Sequence, residues 1–240
     1  MWGERSLSII KKREYGKRLY RIGSITIVLF GICYVFGAFF SLIIGPAPEG
    51  DAYLTSLAGH AVISNINFIV FIIAHLLLIP AIVALYILLR DHKTTIALAT
   101  GILGFFIVLD IGVTESTSLS LVSIAQQYVA SSATSQASIY TQAQGLLGIL
   151  PIATLLSFVL SSIGILIVGL AMLKSPFRKI TGIVGIFVGV IGTLAGFYIF
   201  APVLSLFMIP SIIALAVWAF LVGIQLNRLP GAGKPSQVKK

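Results

Sequence analysis

Two ionisable side chains stand inside long apolar runs: His75 in NFIVFIIAHLLLIPAIVALYILL (67–89) and Asp110 in TIALATGILGFFIVLDIGVTES (95–116). Ionisable groups within hydrocarbon are costly and face a bundle interior or a water path, where they carry protons or bind solutes. An imidazole beside a carboxylate can exchange a proton with a bound ligand, the chemistry of a proton-coupled transporter or receptor. The two runs are joined by Arg90-Asp91-His92-Lys93, a short basic turn, with His75 lying 15 residues before Arg90 and Asp110 17 after Lys93. At a rise of about 1.5 Å per residue both stand roughly 22–26 Å from the turn, so a contact between them is possible.

Hydroxyl groups accompany the pair. Thr154, Ser157 and Ser161 step by three and four, continuing to Gly164, and therefore share one helix face; Asp110, Thr114 and Thr117 do the same. His75, Asp110, Thr114, Thr154, Ser157 and Ser161 are the candidate walls of an intramembrane polar pocket. The competing account is structural, an interhelical hydrogen bond worth about 1 kcal/mol. Glu115, at the end of its run, reads as an interfacial carboxylate at the membrane edge.

Other chemistries find no support in the motifs. Cys33 is the single cysteine, and the three histidines fall at three different levels, so neither a disulfide nor a metal grouping is expected. There is no HExxH, GxSxG or glycine-rich phosphate loop, and no lysine inside an apolar run. The expectation is a protein without catalytic residues, metal or cofactor.

The elements that position these residues are membrane helices. Charged residues are only 10% of the 240, against 58% hydrophobic, and mean hydropathy is +1.07. A soluble domain needs about 25% charged residues to face water. A hydrocarbon core about 30 Å thick takes about 20 helical residues. Six segments qualify: Ile22–Ile44, Asn67–Leu89, Thr95–Ser116, Ile149–Leu173, Ile180–Phe200 and Val203–Asn227. The predicted fold is an all-α bundle of six transmembrane helices (22–227), flanked by basic segments 1–21 and 228–240.

All sixteen Lys and Arg residues fall in the first 21 residues, at Arg90 and Lys93, at 174–179, or in the tail. Cationic connections stay cytoplasmic, so both termini are expected inside the cell membrane. The net charge of +9 therefore marks topology and calls for no nucleic-acid partner. The expected partners are the bilayer, anionic lipid headgroups at the N-terminal basic segment, and either further copies or a larger membrane complex. On the outer side, 45–66 is expected as a loop, and 117–148, rich in Ser, Thr and Gln, as a helical hairpin. Ala201-Pro202 reads as a tight turn between spans five and six.

Glycine and proline add packing detail. Gly182, Gly185, Gly189, Gly192 and Gly196 recur at spacings of three and four, a bare strip for close helix approach. Packing within the bundle, against span six or span one, is preferred over an interface between copies. Pro80 and Pro210 are expected to kink spans two and six, freeing the carbonyls of Leu76 and Leu206.

ALYILLRDHKTTIALATG (84–101), LKSPFRKITGIVGI (173–186) and ALAVWAFLVGIQ (214–225) resemble, in pattern, a prokaryotic family of six-span membrane proteins known as a domain of unknown function. The resemblance covers about Lys17 to Gln225 and implies six helices without an assigned activity. The leading functional expectation is a non-enzymatic structural, accessory or assembly subunit. The alternative is a small-solute or proton-coupled transporter or receptor, its pocket in the outer half of the bilayer.

Overall fold

Without water to satisfy backbone polar groups, a chain crossing hydrocarbon must close its hydrogen bonds within each segment, and here it does so with helices. The computed structural model describes residues 2–44, 50–89 and 93–229, with 2–15 and 93 described in backbone only. The Arg90–His92 turn, the 45–49 part of the first outer connection and the tail from residue 230 lie outside the described residues.

The helices are α1 (Trp2–Ile44), α2 (Asp51–Gly59), α3 (Ala61–Leu88), α4 (Lys93–Leu109), α5 (Ser116–Ala130), α6 (Ala133–Met172), α7 (Lys179–Gly196) and α8 (Met208–Arg228). A π-helical turn, Asp110–Glu115, joins α4 to α5, and 3₁₀ turns at Phe197–Ile199 and Pro202–Phe207 join α7 to α8. No strand occurs among the described residues. Six stretches are long and apolar enough to cross a membrane: Gly16–Ile44, Ala61–Leu88, Thr94–Ala130, Ala133–Met172, Lys179–Ile199 and Pro202–Arg228. The protein is an all-α, multi-pass integral membrane protein. Its burial pattern agrees, since Val108 is 70% exposed while Asp110, two residues on, is 6% exposed. Apolar side chains face out and charge faces in.

The six spans pack as a closed ring in chain order. Span one lies between spans two and six, span four between three and five, and spans two and three complete the circle. Small residues bring the seams together. Ser24 Oγ donates to the Gly223 carbonyl at 2.7 Å, and a Cβ on Gly23 would fall 2.5 Å from that of Ala84. The Arg178 amide donates to Gln225 Oε1 at 2.6 Å. These contacts gather the start of span one, the four–five connection and the end of span six. Lys17, Arg18, Arg21, Lys174, Arg178, Lys179 and Arg228 thus share one end of the bundle.

The glycine strip of span five packs inside the chain, chiefly on span four, while span six, one of the two expected neighbours, is met at Gly185. A Cβ on Gly182 would sit 2.8 Å from the Gly169 carbonyl oxygen, and one on Gly189 2.7 Å from that of Ser162. Gly192 lies against the Ser162 hydroxyl, and Gly196 against Phe158. Only Gly185 meets span six, through the Trp218 indole. Span four was the missed partner because its own small-residue face, Ser162 and Gly169, is spread seven residues apart. The strip is buried, so this face is closed to a second copy.

Several boundaries differ from the sequence expectations. The connection 45–66 contains α2, and span two begins at Ala61, six residues before Asn67. α5 and α6 meet at Ser131-Ser132, and α6, with 40 residues, is about 60 Å long. That is twice the hydrocarbon thickness, so much of its polar first half stands clear of the membrane. There Leu54, Leu57, Leu121, Ala125 and Ala143 form a small core of their own. Pro80 lies inside α3 as expected. Pro210 is the third residue of α8, directly after the 3₁₀ helix Pro202–Phe207, so span six changes helix type just before it. The interior proline that was overlooked is Pro151, because α6 begins sixteen residues before the expected Ile149.

Gly169→Leu provides the check on this packing. A Cβ there would lie 2.8 Å from the Ile186 amide nitrogen and 2.9 Å from the Gly182 carbonyl, both rigid backbone. The variant should lose at least about 1–3 kcal/mol, seen as a lower melting temperature in detergent. Gly145→Leu, in open space, should melt like the parent.

Candidate functional site

The ring of spans surrounds a cavity of about 190 Å³, and every span contributes to its wall. Span one brings Tyr34; span two His75; span three Asp110, Thr114 and Glu115; span four Thr154, Ser157 and Ser161; span five Gly192; span six Ser211. All six residues proposed from sequence as pocket walls therefore line one cavity.

His75 is its best-held member. It lies midway along α3 and is 1% exposed. Its Nε2 shares a hydrogen bond with the Tyr34 hydroxyl at 2.7 Å. The ring also meets Tyr34 and Phe106 edge-on, at centroid distances of 5.7 and 5.0 Å. Its other nitrogen, Nδ1, is 3.1 Å from Asp110 Oδ2, an ion-pair distance outside the alignment of a straight hydrogen bond. The matching depth read from the sequence thus becomes a contact.

The π turn sets the carboxylates. In an α-helix, residues five apart point about 140° from each other. In the i to i+5 pattern of a π turn they stack on one side. Glu115 consequently shares the cavity wall with Asp110, and it is 6% exposed. This corrects its reading as a carboxylate at the membrane edge. Thr117, expected on Asp110's face, is half-buried off the wall. Glu115 Oε2 has no hydrogen-bond partner in the described structure.

Hydroxyls complete the wall. Thr114 and Ser157 bond across spans three and four at 3.3 Å. Thr154 donates to the Leu150 carbonyl and Ser161 to that of Phe158, so both are satisfied within their own helix. Tyr34, Glu115, Ser162 and Ser211 were not anticipated. Tyr34 and Ser211 carried a faint signal as polar residues in apolar runs, whereas Glu115 needed the π turn.

His75, Asp110 and Glu115 each offer a ligand atom, all within 4.8 Å of one another. The sequence expectation of no metal grouping is corrected on this point. Local spacing detects donors on one element, whereas these come from two helices. Among the described residues no lysine or arginine lines the cavity, and much of its surface is apolar, with Phe30, Phe71, Leu103 and Val188.

Comparison with known protein families, with curated proteins and with solved structures returns no match. Fold and site define the class instead: a six-span all-α membrane protein with an ionisable cluster on the axis of a closed helical ring.

Glu115→Gln keeps the side-chain shape and removes a buried group able to carry charge. In chelator-treated protein it should leave stability unchanged or raise it by about 1 kcal/mol, since neutral replacements of buried charge are often neutral or stabilising. A clear drop in melting temperature would show that the carboxylate holds the fold together.

Proposed function

We propose that this protein binds a small polar solute in its axial cavity, as a transporter or receptor of the cell membrane. One observation carries the reading: six spans converge three ionisable side chains and several hydroxyls on one internal space. A subunit that only offers outer helix faces to partners needs no such axis. Of the two functions expected from the sequence, the geometry favours the pocket.

The volume bounds the ligand. An engineered cavity of about 150 Å³ admits benzene. A space of about 190 Å³ therefore suits a solute of similar or slightly larger size, far below a lipid. Carboxylates, an imidazole and hydroxyls on an otherwise apolar wall favour a solute with polar groups at one end.

The cationic residues at one end of the bundle support an orientation with that end cytoplasmic. The cavity then lies in the outer half of the bilayer, and the α5–α6 hairpin projects outside. Cysteine labelling tests this in a Cys33→Ala background. A membrane-impermeant maleimide on intact cells should react with Ser132→Cys and spare Pro176→Cys until the cells are opened. The reverse pattern would invert the topology.

Purification in mild detergent followed by mass analysis tests the function. The expected result is a small molecule retained by the parent protein. Ser157→Phe, which fills the cavity, should lose it by at least tenfold while eluting as a folded protein. A stoichiometric larger partner and no small molecule would favour the subunit expectation.

A further inference from the structure

The buried carboxylates raise a question that solute binding alone leaves open. Asp110 and Glu115 share one wall of a space in hydrocarbon, with a single imidazole beside them and, among the described residues, no lysine or arginine on the cavity wall. Two unpaired anions in such a medium are strongly unfavourable. Each must take up a proton or meet a cation.

We propose that His75, Asp110 and Glu115 bind one divalent first-row transition cation, of the zinc or manganese type, at the wall of the axial cavity. The donor set suits this class: an imidazole nitrogen with two carboxylate oxygens, and no sulfur to favour softer ions. With the imidazole neutral, binding the ion releases any carboxyl proton, and the resulting charge of −2 is cancelled by a divalent cation.

The geometry fits. Donors about 2.1 Å from a tetrahedral ion stand about 3.4 Å apart. His75 Nδ1 and Asp110 Oδ2 are 3.1 Å apart, and the Glu115 donor completes a set within 4.8 Å. Oε2 of Glu115 and Nδ1 of His75 are both buried without a hydrogen-bond partner, so two donor atoms of this corner stand ready for a ligand.

Tyr34 prepares the ligand. With His75 Nε2–H donating to the Tyr34 oxygen, Nδ1 presents its lone pair toward Asp110. A hydrogen bond on the far nitrogen is how proteins fix the orientation and tautomer of a metal-binding histidine. Tyr34 is thus a positioning residue. The cavity leaves a coordination position open, where water or an oxygen of the solute can bind. The proposal rests on the pocket reading in one respect, since the ion must enter through that cavity.

The test uses full-length detergent-solubilised protein, stripped with chelator and dialysed against Zn²⁺ or Co²⁺ alone. The expected result is one ion per chain, with Co²⁺ giving visible absorption from a nitrogen–oxygen site. Asp110→Asn and Glu115→Gln should each weaken binding at least tenfold, and His75→Gln should abolish the Co²⁺ signal. Tyr34→Phe should weaken binding about tenfold, the size of effect typical for such supporting partners. Melting curves of the metal-free variants separate loss of a ligand from loss of fold. Absence of bound ion in the parent, or binding unchanged in both Asp110→Asn and Glu115→Gln, overturns the proposal. Mass analysis of the chelated protein keeps the two readings apart. Solute retained with no ion bound removes the metal and leaves the pocket; ion bound with no solute retained does the opposite.

Discussion

Charge buried in hydrocarbon has to be answered by the protein itself, and most of this structure follows from that constraint. His75, Asp110 and Glu115 are almost fully enclosed while apolar side chains on the same helices face outward. No span can shelter them alone, because a helix in lipid turns only one face inward. Six helices in a closed ring supply the shelter, and each lends part of the wall.

Closing such a ring depends on residues with almost no side chain. Spans four and five approach until the Gly169 and Gly182 backbones touch, and spans one and six meet through Ser24 and Gly223. In hydrocarbon these seams gain from dispersion and hydrogen bonding, since apolar side chains are no better off against each other than against lipid. Where spans one, two and three face the cavity, Tyr34, Phe71, His75 and Phe106 meet edge to face and form an aromatic part of its wall.

Much of this was legible along the chain. Hydropathy and length set the number of spans, since the bilayer imposes a minimum run of apolar residues on any helix crossing it. The i, i+3, i+4 stepping of Thr154, Ser157 and Ser161 and the hairpin depth of His75 and Asp110 identified wall residues that the structure brings together. What escaped were features without a local signature. Glu115 looked interfacial because it stands at the end of its apolar run, and only the π turn brings it to Asp110's side. The glycine strip does meet span six at Gly185, but its main neighbour, span four, was missed because spacing describes one helix face and is silent about its partner.

The sequence by itself determined a membrane-embedded all-helical chain, the rough extent of its six crossings and the clustering of cations at alternate connections. Those properties come from composition and periodicity, which act residue by residue against a solvent of known thickness. Tertiary structure decided the closed order of the ring, the pairing of spans four and five, and the π turn that swings Glu115 inward. It also decided the meeting of Tyr34, His75 and two carboxylates from three different spans. These depend on which helix faces which, a matter of packing between segments distant in the chain.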